Sequence, residues 1–196
     1  MYDNTETKIL EVIYLNEGIH KREISKKLKL SMPSIDNALN KLERVLKKQK
    51  SGNQIKYFLD YSSPALTPLL SAVEFKRIEK LPSKIKYAVI DFLNEIEIKP
   101  LIAAIFGSYA DGSYTKHSDI DIFLVFQKIE DSKKIENAAR KITLKTTISL
   151  NPVYLDYTFF VDSFHNSTKE FFKRLKKDKI IITGVELWRQ LKNEET

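Results

Sequence analysis

The stretch GSYADGSYTKHSDIDIFLVF, Gly107 to Phe126, decides the fold. A Gly-Ser pair follows the apolar run Leu101–Phe106, and two acids, Asp119 and Asp121, open a strand-like run from Ile120 to Phe126. Side chains alternate across a strand, so Asp119 and Asp121 project to one face and Ile120 and Ile122 to the other. Two adjacent carboxylates repel unless a cation sits between them, and oxygen-only donors suit Mg²⁺. Gly107 allows close backbone approach to a ligand, and Ser108 can open a helix whose free N–H groups favour phosphate. A phosphate cradle beside a carboxylate pair is equipment for phosphoryl or nucleotidyl transfer. The plain alternative is a surface turn followed by a strand bearing two solvated acids. It is disfavoured, because acids are depleted in strands and two on one face repel.

Upstream, Thr5 to Asn16 carries the apolar stripe Ile9, Leu10, Val12 and Ile13, with Asp3 or Asn4 as cap, and reads as a first helix. Lys21 to Leu28 reads as a second. Ser31 caps a third, tolerating Pro33 in its first turn, with Ile35, Leu39, Leu42 and Leu46 as its buried edge. After the turn residues Lys50 to Asn53, Ile55–Leu59 reads as a strand. Three helices and a hairpin resemble a winged helix-turn-helix module over residues 1–61. The resemblance makes the third helix a DNA-recognition helix. Its outer positions Ser34, Asn37, Asn40, Lys41 and Arg44 are the candidate DNA contacts, with Lys47 and Lys48 beyond them. Lys50, Asn53, Gln54 and Lys56 would form the wing. Asp36 has the wrong sign to face phosphate, and a module used only for dimerisation or protein contacts is the competing reading.

Residues 62–83 read as a helical linker broken at Pro82-Ser83, and 84–196 as a second domain opened by the helix Lys84–Ile96. Downstream of the central stretch, Ser132 to Thr146 is an amphipathic helix. Pro152 to Phe160 is a strand with Asp156 on the face of Tyr154, Thr158 and Phe160. Ser167–Lys177 is a helix, Lys179–Ile182 a strand and Val185–Leu191 a closing helix.

Gly107-Ser108, Ala110, Gly112 and Ser118-Asp119-Ile120-Asp121-Ile122 together resemble the signature of the DNA polymerase beta-like nucleotidyltransferase superfamily, and the short domain is most similar to its minimal members. The expected architecture is therefore α+β or α/β: an N-terminal winged helix and a C-terminal mixed sheet flanked by helices. The resemblance implies that Gly107, Ser108 and Ser118 bind a nucleoside triphosphate, with ATP favoured. It implies that Asp119 and Asp121 bind two Mg²⁺ ions, with a third carboxylate from a later strand. Asp156 is the candidate for that third catalytic and metal-binding position, with Asp162 as its rival. The implied reaction is Mg²⁺-dependent transfer of NMP, chiefly AMP, to a hydroxyl of a protein, small molecule or nucleic-acid end. Minimal nucleotidyltransferases also serve as antitoxins paired with HEPN-type toxin proteins, and a homodimer is compatible with the sequence. The alternative is a DNA-binding transcriptional regulator whose transferase domain is an inactive sensor or protein-binding scaffold. His117 and Lys116 could each meet phosphate or only water; Tyr109 and Tyr114 could stack on a base or pack the helix after Ser108.

Composition fits this frame. Across 196 residues the chain is 42% hydrophobic and 30% charged, with a net charge of +7 that favours anionic partners. It has no cysteine, which excludes disulfides and thiolate metal sites and suits a reducing cytoplasm. No apolar run reaches membrane-spanning length.

Overall fold

The computed structural model describes residues 4–166 and 168–195. Asp3 and Ser167, expected at a helix cap and a helix start, lie outside the described residues. The chain separates into two units: residues up to 76 together with 192–194, and residues 77–191 together with 195, so that the last turn of the final helix is grouped with the first unit.

In the N-terminal unit, helix α1 (Thr5–Leu15) begins where the Asn4 side chain accepts a hydrogen bond from the Thr7 N–H. Strand β1 (Ile19–His20) leads into helix α2 (Lys21–Leu28). Helix α3 (Met32–Lys41) carries Pro33 in its first turn. Ile9, Ile13, Ile24, Ile35 and Leu39 are buried on the facing sides of these helices. The α3 helix stops earlier than its apolar spacing suggests. Glu43–Val45 tightens into a 3₁₀ turn, and Leu46 is the first residue of strand β2 (Leu46–Ser51) rather than the last of a helix. Leu46 keeps its buried place by pairing with Leu59 of β3 (Gln54–Leu59). A two-residue turn at Gly52-Asn53 closes this antiparallel hairpin, with Gly52 at φ 58°. β1 adds to the other edge of β3, giving a three-stranded sheet ordered β1-β3-β2.

Helix α4 (Leu66–Glu79) contains the division between the units. The C-terminal unit continues with helix α5 (Ser83–Glu95), strand β4 (Ile102–Phe106), a single-turn helix α6 (Ser108–Asp111), strand β5 (Ile120–Phe126) and helix α7 (Ser132–Thr146). Strand β6 (Leu150–Asp156), helices α8 (Tyr157–Asn166) and α9 (Glu170–Lys177), strand β7 (Lys179–Thr183) and helix α10 (Val185–Glu194) follow. The sheet is mixed, in the order β6-β5-β4-β7. The β5–β6 pair is parallel and both β4 pairs are antiparallel. The parallel pair needs a crossover, and α7 supplies it.

Apolar layers cover both sheet faces. Ile120, Ile122, Leu124 and Phe126 point toward Val89 and Phe92 of α5 and Ile135 and Ile142 of α7. Phe123 and Val125 point the other way, into a layer with Phe160 and Phe164 of α8, Leu175 of α9 and Trp188 of α10. The expected strand Pro152–Phe160 is thus only half strand. From Tyr157 onward the chain is helical, because Phe160 and Phe164, four residues apart, bury together against Trp188. Aromatic residues favour strands in isolation, and here their packing overrides that preference. Among the described residues no helix is long and apolar enough to cross a membrane.

Candidate active site

Asp121 lies in β5 opposite Phe106 of β4 on one side and Asn151 of β6 on the other. Its parity is that of Phe123 and Val125, so its carboxylate leaves the sheet on the α8–α10 face. Asp119 precedes the strand with the same parity. The Asn151 side-chain N–H₂ joins them, donating to Asp119 Oδ2 at 3.4 Å and Asp121 Oδ1 at 3.5 Å. The expected carboxylate pair is therefore brought together, with a neutral amide spanning it.

Gly107 ties the phosphate-type turn to this pair. Its φ of 65° and ψ of −148° fall where only glycine sits without strain, and a Cβ there would collide with Asp121 Oδ2. Backbone and carboxylate therefore share one space. α6 follows directly, and the Gly107 carbonyl accepts from the N–H groups of Ala110 and Asp111. The half-buried Ser108 hydroxyl has no hydrogen-bond partner among the described residues. The buried Arg77 guanidinium braces this turn from beneath, donating to the carbonyls of Lys179 and, at 3.4 Å, Ala110.

Burial pushes the Asp121 carboxyl above its usual range; the Asp119 charge adds to this and the Asn151 hydrogen bond opposes it. Burial likewise raises the Tyr109 phenol, helped by Tyr114 and Asp119. Tyr109 and Tyr114 stack on each other, with ring centroids 4.5 Å apart and planes 16° apart, so they pack the α6 turn. The Ser118 hydroxyl accepts from the Thr115 N–H at 2.8 Å and shapes the loop before Asp119.

Asp156 is not brought to the pair. It is the last residue of β6, opposite Phe126, five positions beyond Asn151, which is about 16 Å along a strand. Its parity with Tyr154 puts it on the α5–α7 face, whereas Asp119 and Asp121 use the other. Its Oδ1 accepts from the Ile129 N–H at 2.5 Å, fastening the loop after β5. Asp162 lies on α8, where it accepts from Asn166 at 2.9 Å. The expected convergence of three carboxylates therefore does not form. Among the described residues no group of three or more His, Cys, Asp or Glu side chains could hold a metal. Asn151 is the residue the sequence reading missed. Its signal was register, since the strand begins before Pro152 and pairs Asn151, not Asp156, with Asp121.

The donor set bears on the cations this fold uses. Two hard carboxylates and an amide, whose oxygen can turn inward, fit one Mg²⁺ ion.

On the N-terminal unit, Ser34, Asn37, Asn40 and Lys41 are exposed along α3. Arg44 is exposed but lies in the 3₁₀ turn, off the helix. Lys47 and Lys48 stand in β2, because hairpin pairing takes over at Leu46. Lys41 pairs with Glu6 at 2.6 Å, Lys48 with Glu43 at 3.0 Å and Lys47 with Asp60 at 3.3 Å. Asp36, the acid of the wrong sign, pairs with Lys21.

Comparison with known proteins gives the following. No curated protein matches the chain. A crystal structure of a toxin-antitoxin with AMP-PNP is similar at 17% identity and a TM-score of 0.42, covering 56% of this chain and 81% of that chain. The family model described as polymerase beta, nucleotidyltransferase matches residues 88–185, half of the chain, and spans the Gly107 turn, both acids and Asn151. The chain therefore belongs to the polymerase beta nucleotidyltransferase family.

Proposed function

We propose that the C-terminal unit transfers NMP, with ATP as the favoured donor, to a hydroxyl acceptor using one divalent cation. The observation that carries this reading is Asp121 seated beneath Gly107 and joined to Asp119 through Asn151. Asp119, Asp121 and the Asn151 amide oxygen would hold Mg²⁺. When bound, the ion supplies charge neutralisation for a triphosphate and its leaving pyrophosphate. The Gly107 backbone lets phosphate approach, and the free Ser108 hydroxyl is available to a phosphate oxygen. Ser118 fixes the loop that presents Asp119. The acceptor oxygen attacks the α-phosphorus in line, the bond to pyrophosphate breaks, and the hydroxyl proton passes to solvent.

Asn151 supports a second reading. Without a third acid near the pair among the described residues, no carboxylate there is spare to draw the proton from the acceptor, and the unit could hold nucleotide as a sensor. Incubation with ATP labelled at the α-phosphate, with and without Mg²⁺, separates the two. Label appearing on an acceptor only with Mg²⁺ supports transfer. Tight nucleotide binding with no label on protein, nucleic acid or small molecules supports the sensor.

We also propose that the N-terminal unit is a DNA-binding winged helix. Its hairpin would serve as the wing, and the exposed Ser34, Asn37, Asn40 and Lys41 on α3 would face the major groove. Arg44, Lys50 and Lys56, which have no carboxylate partner among the described residues, would contribute most of the phosphate attraction. Lys41 must first leave Glu6. Substituting Lys41 and Arg44 by Ala should weaken duplex binding and flatten its salt dependence, by a slope of about one for each phosphate no longer neutralised. An unchanged slope removes this surface from the interface.

A further inference from the structure

Arg77 precedes the segment that matches the family model, residues 88–185, and falls in the stretch read from the sequence as a linker. It is nevertheless tied to the site. It belongs to the C-terminal unit, stands on the last turn of α4 and is 7% exposed. A guanidinium leaves water at a steep cost unless its donors meet acceptors held in place. Here two backbone carbonyls serve. One belongs to Ala110, at 3.4 Å, on the single turn of α6; the other belongs to Lys179, the first residue of β7.

These two carbonyls bracket Gly107. On one side, the Ala110 N–H donates to the Gly107 carbonyl at 3.0 Å. On the other, Lys179 pairs across the sheet with Phe106, the residue before Gly107. The Lys179 end is fixed. The residue is buried, and its ammonium donates to the Lys176 carbonyl at 2.9 Å and stands 5.1 Å from the centre of the Trp188 ring. The Ala110 end is weaker, because one helical turn makes too few bonds to hold its own shape. Gly107 beside it is at positive φ, with no room for a Cβ against Asp121. Strained backbone persists only where its surroundings over-determine it. Arg77 therefore carries the rigidity of β7 to the turn that faces the carboxylates.

We propose that Arg77 is a positioning residue for the donor nucleotide. By tying Ala110 to Lys179 it holds the Gly107–Ser108 turn against Asp121, so that the triphosphate meets a preformed cradle. The proposal rests on the transfer reading above. The planar fork is what matters, since it reaches two carbonyls at once. A lysine keeps the charge but has a single nitrogen and cannot span both.

The test uses the full chain with Mg²⁺ and two probes, a non-hydrolysable ATP analogue and inorganic triphosphate, which lacks the nucleoside. Arg77→Met and Arg77→Lys should each weaken both probes by on the order of tenfold to a hundredfold in the folded fraction. Amide exchange should quicken at Ala110 and Asp111 in Arg77→Lys, while Ile122 and Leu124 inside β5 keep their wild-type rates. Wild-type affinity in Arg77→Lys would show that charge alone suffices, and overturns the proposal. A lowered melting temperature with unchanged affinity for both probes makes Arg77 merely structural and overturns it too. So does weakening of the analogue without weakening of triphosphate, which would place the effect on the nucleoside. Should neither variant fold, wild-type exchange decides. Protection at Ala110 and Asp111 that deepens with Mg²⁺ and triphosphate supports the preformed cradle, and exchange there as fast as in an open loop overturns it. A wild type that binds neither probe defeats the transfer reading itself, whereas normal binding in every Arg77 variant defeats this proposal alone.

Discussion

The two ends of the β5–β6 pair place acids in similar sequence settings and use them differently. At the start of β5, the half-buried Asp121 faces Asn151 and, with the exposed Asp119, forms a polar cluster under Gly107. At the far end, Asp156 faces Phe126 on the opposite side of the sheet and holds a loop N–H. Each acid borders an apolar strand, so the sequence signal is the same. Register separates them: five positions along a strand change both the face and the distance. A carboxylate that repels a neighbour invites a cation. One that accepts a backbone N–H is already satisfied and has a structural task.

The largest effect should come from Asp121→Asn. Transfer should fall by on the order of a thousandfold, since a charged oxygen ligand is replaced by a neutral one. The fold should survive and, without divalent cation, gain stability at neutral pH. The Asp121 carboxyl is raised in the folded protein, so the native state binds the extra proton. Stability from this group is therefore greatest when the carboxyl is protonated and falls as pH rises from its ordinary value through its raised one. The Asn variant should lose that slope. A variant with the wild-type pH profile of unfolding would show that the carboxylate carries no strain.

Gly107→Ala tests the same end through the backbone. The positive φ and the collision with Asp121 together should destabilise the unit by about 2–3 kcal/mol, read by urea unfolding. ATP-analogue binding should drop in the folded fraction, because Asp121 must move. Near-wild-type stability would mean that the turn can relax away from the carboxylate.

Much of this site was legible in the sequence. Gly107, Ser108, Asp119 and Asp121 are close in the chain, and local spacing fixes their relation. What lay beyond reading is non-local. The partner of Asp121 depends on where β6 starts, and the length of β6 depends on Phe160 and Phe164 finding Trp188 across a layer. The same holds in the N-terminal unit. The spacing of Ile35, Leu39, Leu42 and Leu46 fits a longer helix, yet Leu46 is claimed by its pairing with Leu59. Helix starts carry local caps, as at Asn4 and Asp131, whereas the end of α3 is set by a strand thirteen residues further on.

Asn151→Asp should make the two ends less alike still. A third carboxylate beside Asp119 and Asp121 should lower the melting temperature without cation through repulsion. Added Mn²⁺ should then raise it more than in the wild type. A tenfold tighter site corresponds to about 1.4 kcal/mol of extra stabilisation at saturating metal. Two bound ions per chain by titration, against one in the wild type, would show that Asn151 sets the cation count. One ion in both proteins would assign it only to orienting the acids.

The smallest effect should belong to Asp156→Asn. The substituted amide keeps an oxygen for the Ile129 N–H, so only the difference between a charged and a neutral acceptor is lost, about 1 kcal/mol. Asp156→Ala removes the acceptor and should cost somewhat more, on the order of 1–3 kcal/mol, with the loop after β5 loosened and faster amide exchange at Ile129. Neither variant should change the Mn²⁺-induced melting shift, the affinity for an ATP analogue or the rate of transfer, because the carboxylate stands on the other face at the other end of the strand. The measurement is paired: unfolding by urea, and melting with and without Mn²⁺. If Asp156→Asn abolishes the cation-induced shift while substitutions at Asn151 leave it intact, β6 pairs in a different register in solution, and the contrast between the two ends of the strand pair is reversed.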